Sequence, residues 1–107
     1  MAYTTRIDWE TLRSVDSATF TGVYVTLGTP LLNPAYKLKL VNNSNVLVTI
    51  SKNGTIDIDV APANSFWLYD EDISQYHEGI AAGTQIFVKG AAGVGLVYLV
   101  AQFQVTN

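Results

Sequence analysis

The sequence predicts an all-β fold: an antiparallel two-sheet β-sandwich, jelly-roll-like, preceded by a short irregular N-terminal arm. Three observations lead there. Apolar and polar residues alternate with period two in one segment after another. Turn signals recur about every 8 to 12 residues, the cadence of a sandwich or barrel. No stretch supports a long helix. The clearest segment is VLVTISKNGTIDIDVAPANSFWLYD, residues 46–70. There Val46, Val48 and Ile50 alternate toward one face, Asn53-Gly54 supplies residues that tolerate positive φ, and Ile56, Ile58 and Val60 resume the alternation on a return strand.

Taken in order, residues 1–19 form the arm, in which Arg6, Asp8, Glu10, Arg13 and Asp16 are interspersed with Ile7, Trp9, Leu12 and Val15 at mixed spacing. A helical turn over 8–14 and a segment packed on a neighbouring molecule suit this pattern equally. Residues 20–107 form a single sandwich domain. Phe20 to Leu27 is its first strand, with Gly22 marking a bulge, and the loop GTPLLNP follows, where Pro30 and Pro34 lack an amide donor. Tyr36 to Val41 alternates with Tyr36, Leu38 and Leu40 inward and Lys37 and Lys39 outward, and Asn42 to Asn45 turns the chain. Beyond the hairpin, Ser65 to Asp70 is expected to be a strand buried on both faces. Glu71 to Gly83 is the longest irregular stretch, and Thr84 to Lys89 and Val94 to Val105 close the fold through a glycine-rich hairpin turn. The expected core includes Leu38, Leu40, Val48, Ile50, Ile58, Phe87 and Val97.

Composition narrows function. Of the 107 residues, 49% are hydrophobic and 14% charged, against about 25% charged in ordinary soluble domains, so burial between subunits is expected to cover part of the surface. A net charge of −3 with only six lysines and arginines argues against nucleic-acid binding. The absence of cysteine removes disulfides, thiolate metal sites and thiol nucleophiles. The N-terminus MAYTTRIDWE has no secretory pattern and no apolar run is long enough to span a bilayer. Synthesis in the cytoplasm and no membrane partner are therefore expected.

Candidate chemistry is sparse. Asp57 and Asp59 project from one strand face roughly 6.6 Å apart, the spacing of a metal or acid–base pair, and equally that of any solvent face alternating with Ile56 and Ile58. Asp70-Glu71-Asp72 lacks the spacing of a calcium loop. His77, the only histidine, lies near Ser74 and Asp72 in one loop, whereas triads are assembled from distant segments. Gly90, Gly93 and Gly95 precede a strand rather than a phosphate-binding helix. Trp67, Tyr69, Tyr76, Tyr98 and Phe103 fill a core or, in an exposed groove, stack on sugar rings. No catalytic residue, metal site or cofactor is expected. Trp9, among charges, is the aromatic best suited to a subunit contact.

FTGVYVTLGTPLLNP (20–34), LVNNS (40–44), ISKNG (50–54), Tyr69-Asp70, Gly83-Thr84, VKG (88–90) and Val97-Tyr98 together resemble small virion structural proteins of tailed bacteriophages. Asn53-Gly54 stands where that pattern often has Asp-Gly; the first twenty residues carry no matching motif. The resemblance implies a non-enzymatic β-sandwich part of the virion. Capsid decoration or cement is the first expectation, with a head-to-tail or tail accessory role, or a fibre module with carbohydrate binding, as the alternative. It also implies a homo-oligomer, a trimer by analogy, seated on other virion proteins such as the major capsid protein. Trp9, Leu12, Arg6 and Arg13 are the expected assembly contact. A small hydrolase using His77 is the competing class.

Overall fold

A computed structural model describes residues 5–70 and 80–106. The described chain is all-β and arranged in two antiparallel sheets. Its strands are β1 (Thr5–Trp9), β2 (Arg13–Asp16), β3 (Val25–Thr26), β4 (Ala35–Ser44), β5 (Val48–Ser51), β6 (Asp59–Ala61), β7 (Ser65–Asp70), β8 (Phe87–Lys89) and β9 (Gly95–Thr106), with one 3-10 turn at Ser17–Thr19. The five-stranded sheet runs β1-β9-β4-β7, with β2 also on β9, and the four-stranded sheet runs β3-β8-β5-β6. The pairings nest: β2 with β9, β3 with β8, β4 with β7, β5 with β6. Leu38, Leu40, Val97 and Leu99 of the first sheet and Val48, Ile50 and Val88 of the second share one buried core.

The N-terminal segment departs from the irregular arm expected. Residues 5–9 and 13–16 are strands laid in line along β9. Alternation is hard to recognise there because the chain breaks between the two, at residues 10–12, and the pairing partner lies at the far end of the sequence. The first expected sandwich strand is shorter than its composition suggests, since only Val25 and Thr26 pair, while Gly22 sits at φ +85°.

The central hairpin exists but its register differs. Ile50 pairs with Asp59 and Val48 with Ala61, so Ala61 enters the core while Ile56, Ile58 and Val60 stand exposed. The cause is local. Ser51 Oγ accepts the N–H groups of Asn53 and Gly54, and Asn53 Oδ1 accepts those of Thr55 and Ile56. Backbone donors that a tight hairpin would send across the ladder are thereby satisfied by side chains and the turn widens, so that Ile50 pairs with Asp59 instead of the Asp57 that a two-residue Asn53-Gly54 turn would set opposite it; that even shift leaves Ile56, Ile58 and Val60 on the face away from Ile50. Phe87 is likewise displaced from the core. Val88 pairs with Ile50 and is buried, whereas the Phe87 ring lies over the Gly54 turn.

In β4 a register shift between Ala35 and Lys37 puts Ala35, not Tyr36, in the core. The alternation then runs past the expected turn: Leu38, Leu40, Asn42 and Ser44 are all buried. Asn42 Nδ2 donates to the carbonyls of Val46, Ala61 and Pro62 at 2.8, 2.9 and 3.1 Å. Its Oδ1 accepts from Ser44 Oγ and N–H. The residues after β8 do not form a hairpin, because β8 and β9 belong to different sheets. That crossover is held by Ser17, whose Oγ donates to Gly95 O and whose carbonyl accepts the Gly93 N–H. Gly95, at φ +116°, has no room for a Cβ, which would fall 2.1 Å from Asn43 O.

Asn42→Ala strands buried carbonyls and should cost about 2–4 kcal/mol in urea unfolding. Ile50→Ala should cost about 2–5 kcal/mol, and Ile56→Ser under about 0.5 kcal/mol. A large loss at Ile56 would place its side chain in the core and contradict this register.

Candidate interaction surface

The feature that stands out is the outer face of the five-stranded sheet. Paired residues share a face and alternate along each strand. Since Leu38, Leu40, Val97, Leu99 and Ala101 point into the core, their neighbours point out. One row across the outside therefore reads Ser14, Tyr98, Val41, Phe66. The next contains Val100, Lys39 and Leu68, and the one beyond it places Trp9 beside Gln102 and Lys37. On the other side lie Asp16, Leu96 and Asn43. Phe66 is 59% exposed, Trp9 56% and Leu68 47%. The strand expected to be buried on both faces is thus open on one: Trp67 and Tyr69 turn inward, Phe66 and Leu68 outward. Four strands by four rows give a footprint of roughly 500 Å², in which Trp9, Val41, Phe66, Leu68, Leu96, Tyr98 and Val100 are interspersed with Ser14, Asp16, Lys37, Lys39, Asn43 and Gln102.

The four residues expected to form the assembly contact are placed differently. Trp9 belongs to this face. Leu12 is exposed in the β1–β2 connection. Arg6 pairs through its backbone with Val105. Arg13 is buried at 7% exposure and turned inward: it meets Glu10 at 2.8 Å and donates to the carbonyls of Thr29 and Pro30. Glu10 in turn accepts from the N–H groups of Leu32 and Asn33 and from the Asn33 amide. The pair fastens the β1–β2 connection to the 28–34 loop, a structural role that its i,i+3 spacing alone did not disclose because every other partner is remote in sequence. Gly28 makes the close approach possible, a Cβ there falling 2.7 Å from the Arg13 side chain.

Asp57 and Asp59 part company. Asp57 accepts from the Tyr24 hydroxyl and lies 3.2 Å from Lys89 Nζ, which also sits 4.6 Å from the Tyr24 ring centroid. Asp59 accepts from the Trp67 indole and from the Val60 N–H. Each carboxylate is committed to its own partners, so the pair does not converge on a common site. Trp67 and Tyr69 line a cleft of about 540 Å³ with Ile58, Ile80, Ile86 and Lys52. Glu71, Asp72, Ser74, Tyr76 and His77 lie outside the described residues, and so do the chemical roles weighed for them. No helix among the described residues is long and apolar enough to cross a membrane.

The chain matches no protein-family model, no curated protein and no solved structure.

Two titrations follow from these contacts. Burial alone raises the Glu10 carboxyl, but Arg13, Asn33 and the two loop N–H groups together hold it below its ordinary 4.5. A lowered folded value means stability that is complete above the unfolded pKa and lost as pH falls through the folded one. Glu10→Gln should therefore cost about 2 kcal/mol in urea unfolding at about pH 7. The difference from the parent chain should shrink as pH falls below 4.5 and through the lowered folded value; a constant difference would contradict the pairing. Desolvation first, then the hydrogen bond to Asp57 and its negative charge, push Tyr24 up to about 12. Asp57→Asn should bring that phenol back toward 10.0, read from its ring carbon shift in an NMR titration.

Proposed function

We propose that the protein is a non-enzymatic virion structural protein of a tailed bacteriophage, a capsid decoration or cement component that works as a symmetric homo-oligomer on the major capsid protein. The observation that carries this reading is the open apolar face outside the five-stranded sheet. A folded domain that keeps Phe66, Leu68, Tyr98, Val100 and Trp9 on one outer surface is built to be covered by protein. Scarce charge fits the same picture. The phage setting and the choice of decoration over a head-to-tail or tail accessory role come from the resemblance of segments 20–34, 40–44, 50–54 and 88–90, and threefold symmetry is chosen by analogy with projecting phage modules.

The fold belongs to the proposal in its finer form. We infer a jelly-roll sandwich, supported by the four nested antiparallel pairs and by strand orders β2-β9-β4-β7 and β3-β8-β5-β6, which are those of one long hairpin wrapped into two layers.

A fibre module that binds carbohydrate is the second reading, favoured by the cleft beside Trp67 and Tyr69, where an aromatic ring and the Asp59 carboxylate offer stacking and a hydroxyl acceptor. The test of the first reading is a reconstruction of virions from the genome that encodes the chain. Symmetric density for this chain on the outer capsid surface is expected. Density only at the tail would move it to the accessory role, and none in the particle would refute a virion role. Glycan-array binding lost in Trp67→Ala would favour the second.

A further inference from the structure

We propose that the outer face of the five-stranded sheet binds a second copy of this chain through a twofold contact centred on Tyr98. The inference rests on the reading that the chain functions by being assembled, and it names the surface. The occupant is argued from charge. Two opposite charges flank Tyr98 on this face. Lys39 lies one strand over on β4, a two-residue step toward Val100; Asp16 lies one strand over on β2, a two-residue step toward Leu96. Strand spacing and rise place each about 8 Å from Tyr98, in opposite directions. A twofold axis lying in the contact plane, passing by Tyr98 and perpendicular to the Lys39–Asp16 line, therefore seats each copy's Lys39 on the other's Asp16. It also brings the two tyrosine rings together and carries the second copy's Phe66 to the Asn43 and Leu96 row.

Both charges are free for this. Lys39 takes part in no ion pair among the described residues. Asp16 uses one oxygen to accept the Ala18 N–H at 3.0 Å, and its carboxylate is in no ion pair among them. An unpaired lysine amid Val41, Leu68 and Val100 is what a face awaiting a carboxylate should carry. The footprint is below the roughly 800 Å² per partner of a standard interface, so association should be weak, with a dissociation constant on the order of 10–1,000 μM. A twofold contact of this kind combines with a threefold arrangement rather than opposing it.

The experiment is sedimentation equilibrium from about 10 μM to 1 mM, with melting curves to confirm that each variant is folded. The parent chain should associate in even-numbered steps. Lys39→Asp and Asp16→Lys should each weaken association at least tenfold, because each sets like charges against one another at both ends of the contact. An equimolar mixture of the two variants should recover it. In the mixed dimer the introduced carboxylate at position 39 faces the introduced ammonium at position 16 at one end, and the native Lys39 and Asp16 face each other at the other. Should Asp16→Lys lose its turn and unfold, Phe66→Glu takes its place, expected to weaken association while Val60→Glu, on the other sheet, leaves it unchanged. A parent chain that stays monomeric overturns the proposal. So does association untouched by Lys39→Asp and Phe66→Glu, or a folded mixture that fails to recover. Particle localisation is read separately: a solution dimer absent from virions refutes the virion role and leaves this contact standing, whereas a virion component that is monomeric in solution does the reverse.

Discussion

The Asn42 side chain is the point on which the crossovers between the sheets depend. Its amide has two N–H donors and serves three backbone carbonyls, so one bond is shared. Two of those carbonyls, Ala61 and Pro62, belong to the passage from β6 to β7, and the third, Val46, to the passage from β4 to β5. In a dry interior these carbonyls would otherwise remain unpaired at a cost of about 1–3 kcal/mol each, so the amide sets where the chain may leave one sheet for the other. Around it Ser44 supplies a second layer, its Oγ accepting the Val46 N–H and donating to Asn42 Oδ1.

The same end of the molecule is extended by Asn45 and Ser17. Asn45 exchanges bonds with Val94, its N–H donating to the carbonyl and its Oδ1 accepting the N–H. Ser17 then links the β8–β9 passage to the β2–β3 passage. Four crossovers are stitched by short polar side chains, while the remote side is fastened by the Glu10–Arg13 pair to the 28–34 loop. With both ends held by buried polar contacts, the β4–β9 centre of the larger sheet is braced from within. Its outer surface takes no part in that bracing and carries Phe66, Leu68, Tyr98 and Val100.

The inward pattern was legible where alternation was unbroken: Leu38, Leu40, Val48, Ile50 and Val97 are the buried residues their spacing announced. It failed where a side chain took over a backbone bond. Ser51 and Asn53 widened the turn, Ile50 came to face Asp59 rather than Ile58, and nothing in the alternation of 56–60 distinguishes the two faces. Asn42 and Ser44 continued the buried period of β4, but their polarity resembled a turn because short polar residues suit both roles. For the candidate surface, Trp9 was recognisable as an aromatic among charges, whereas Phe66, Tyr98 and Val100 join it only through pairings between distant strands. Arg13 shows the opposite error. Its charge suggested a surface, yet its partners, the carbonyls of residues 29 and 30 and the Glu10 carboxylate, could be found only in three dimensions.

Three of the four sheet edges offer an incoming strand little to pair with, whereas β7 is a continuous edge of six residues. Both edges of the four-stranded sheet are short, two residues in β3 and three in β6, and Asp59 on β6 caps the Val60 N–H with its own carboxylate. Such edges offer little backbone to an incoming strand. On the larger sheet, one edge is interrupted at residues 10–12, where Glu10 and Arg13 turn their charges inward to the loop. Beside the β7 edge lies the side-chain surface of the same sheet, and that surface combines a central aromatic, aliphatic neighbours and two opposite charges set symmetrically about it. In the proposed twofold contact, apolar area supplies the attraction, while the lysine and the aspartate penalise any docking that does not bring them together.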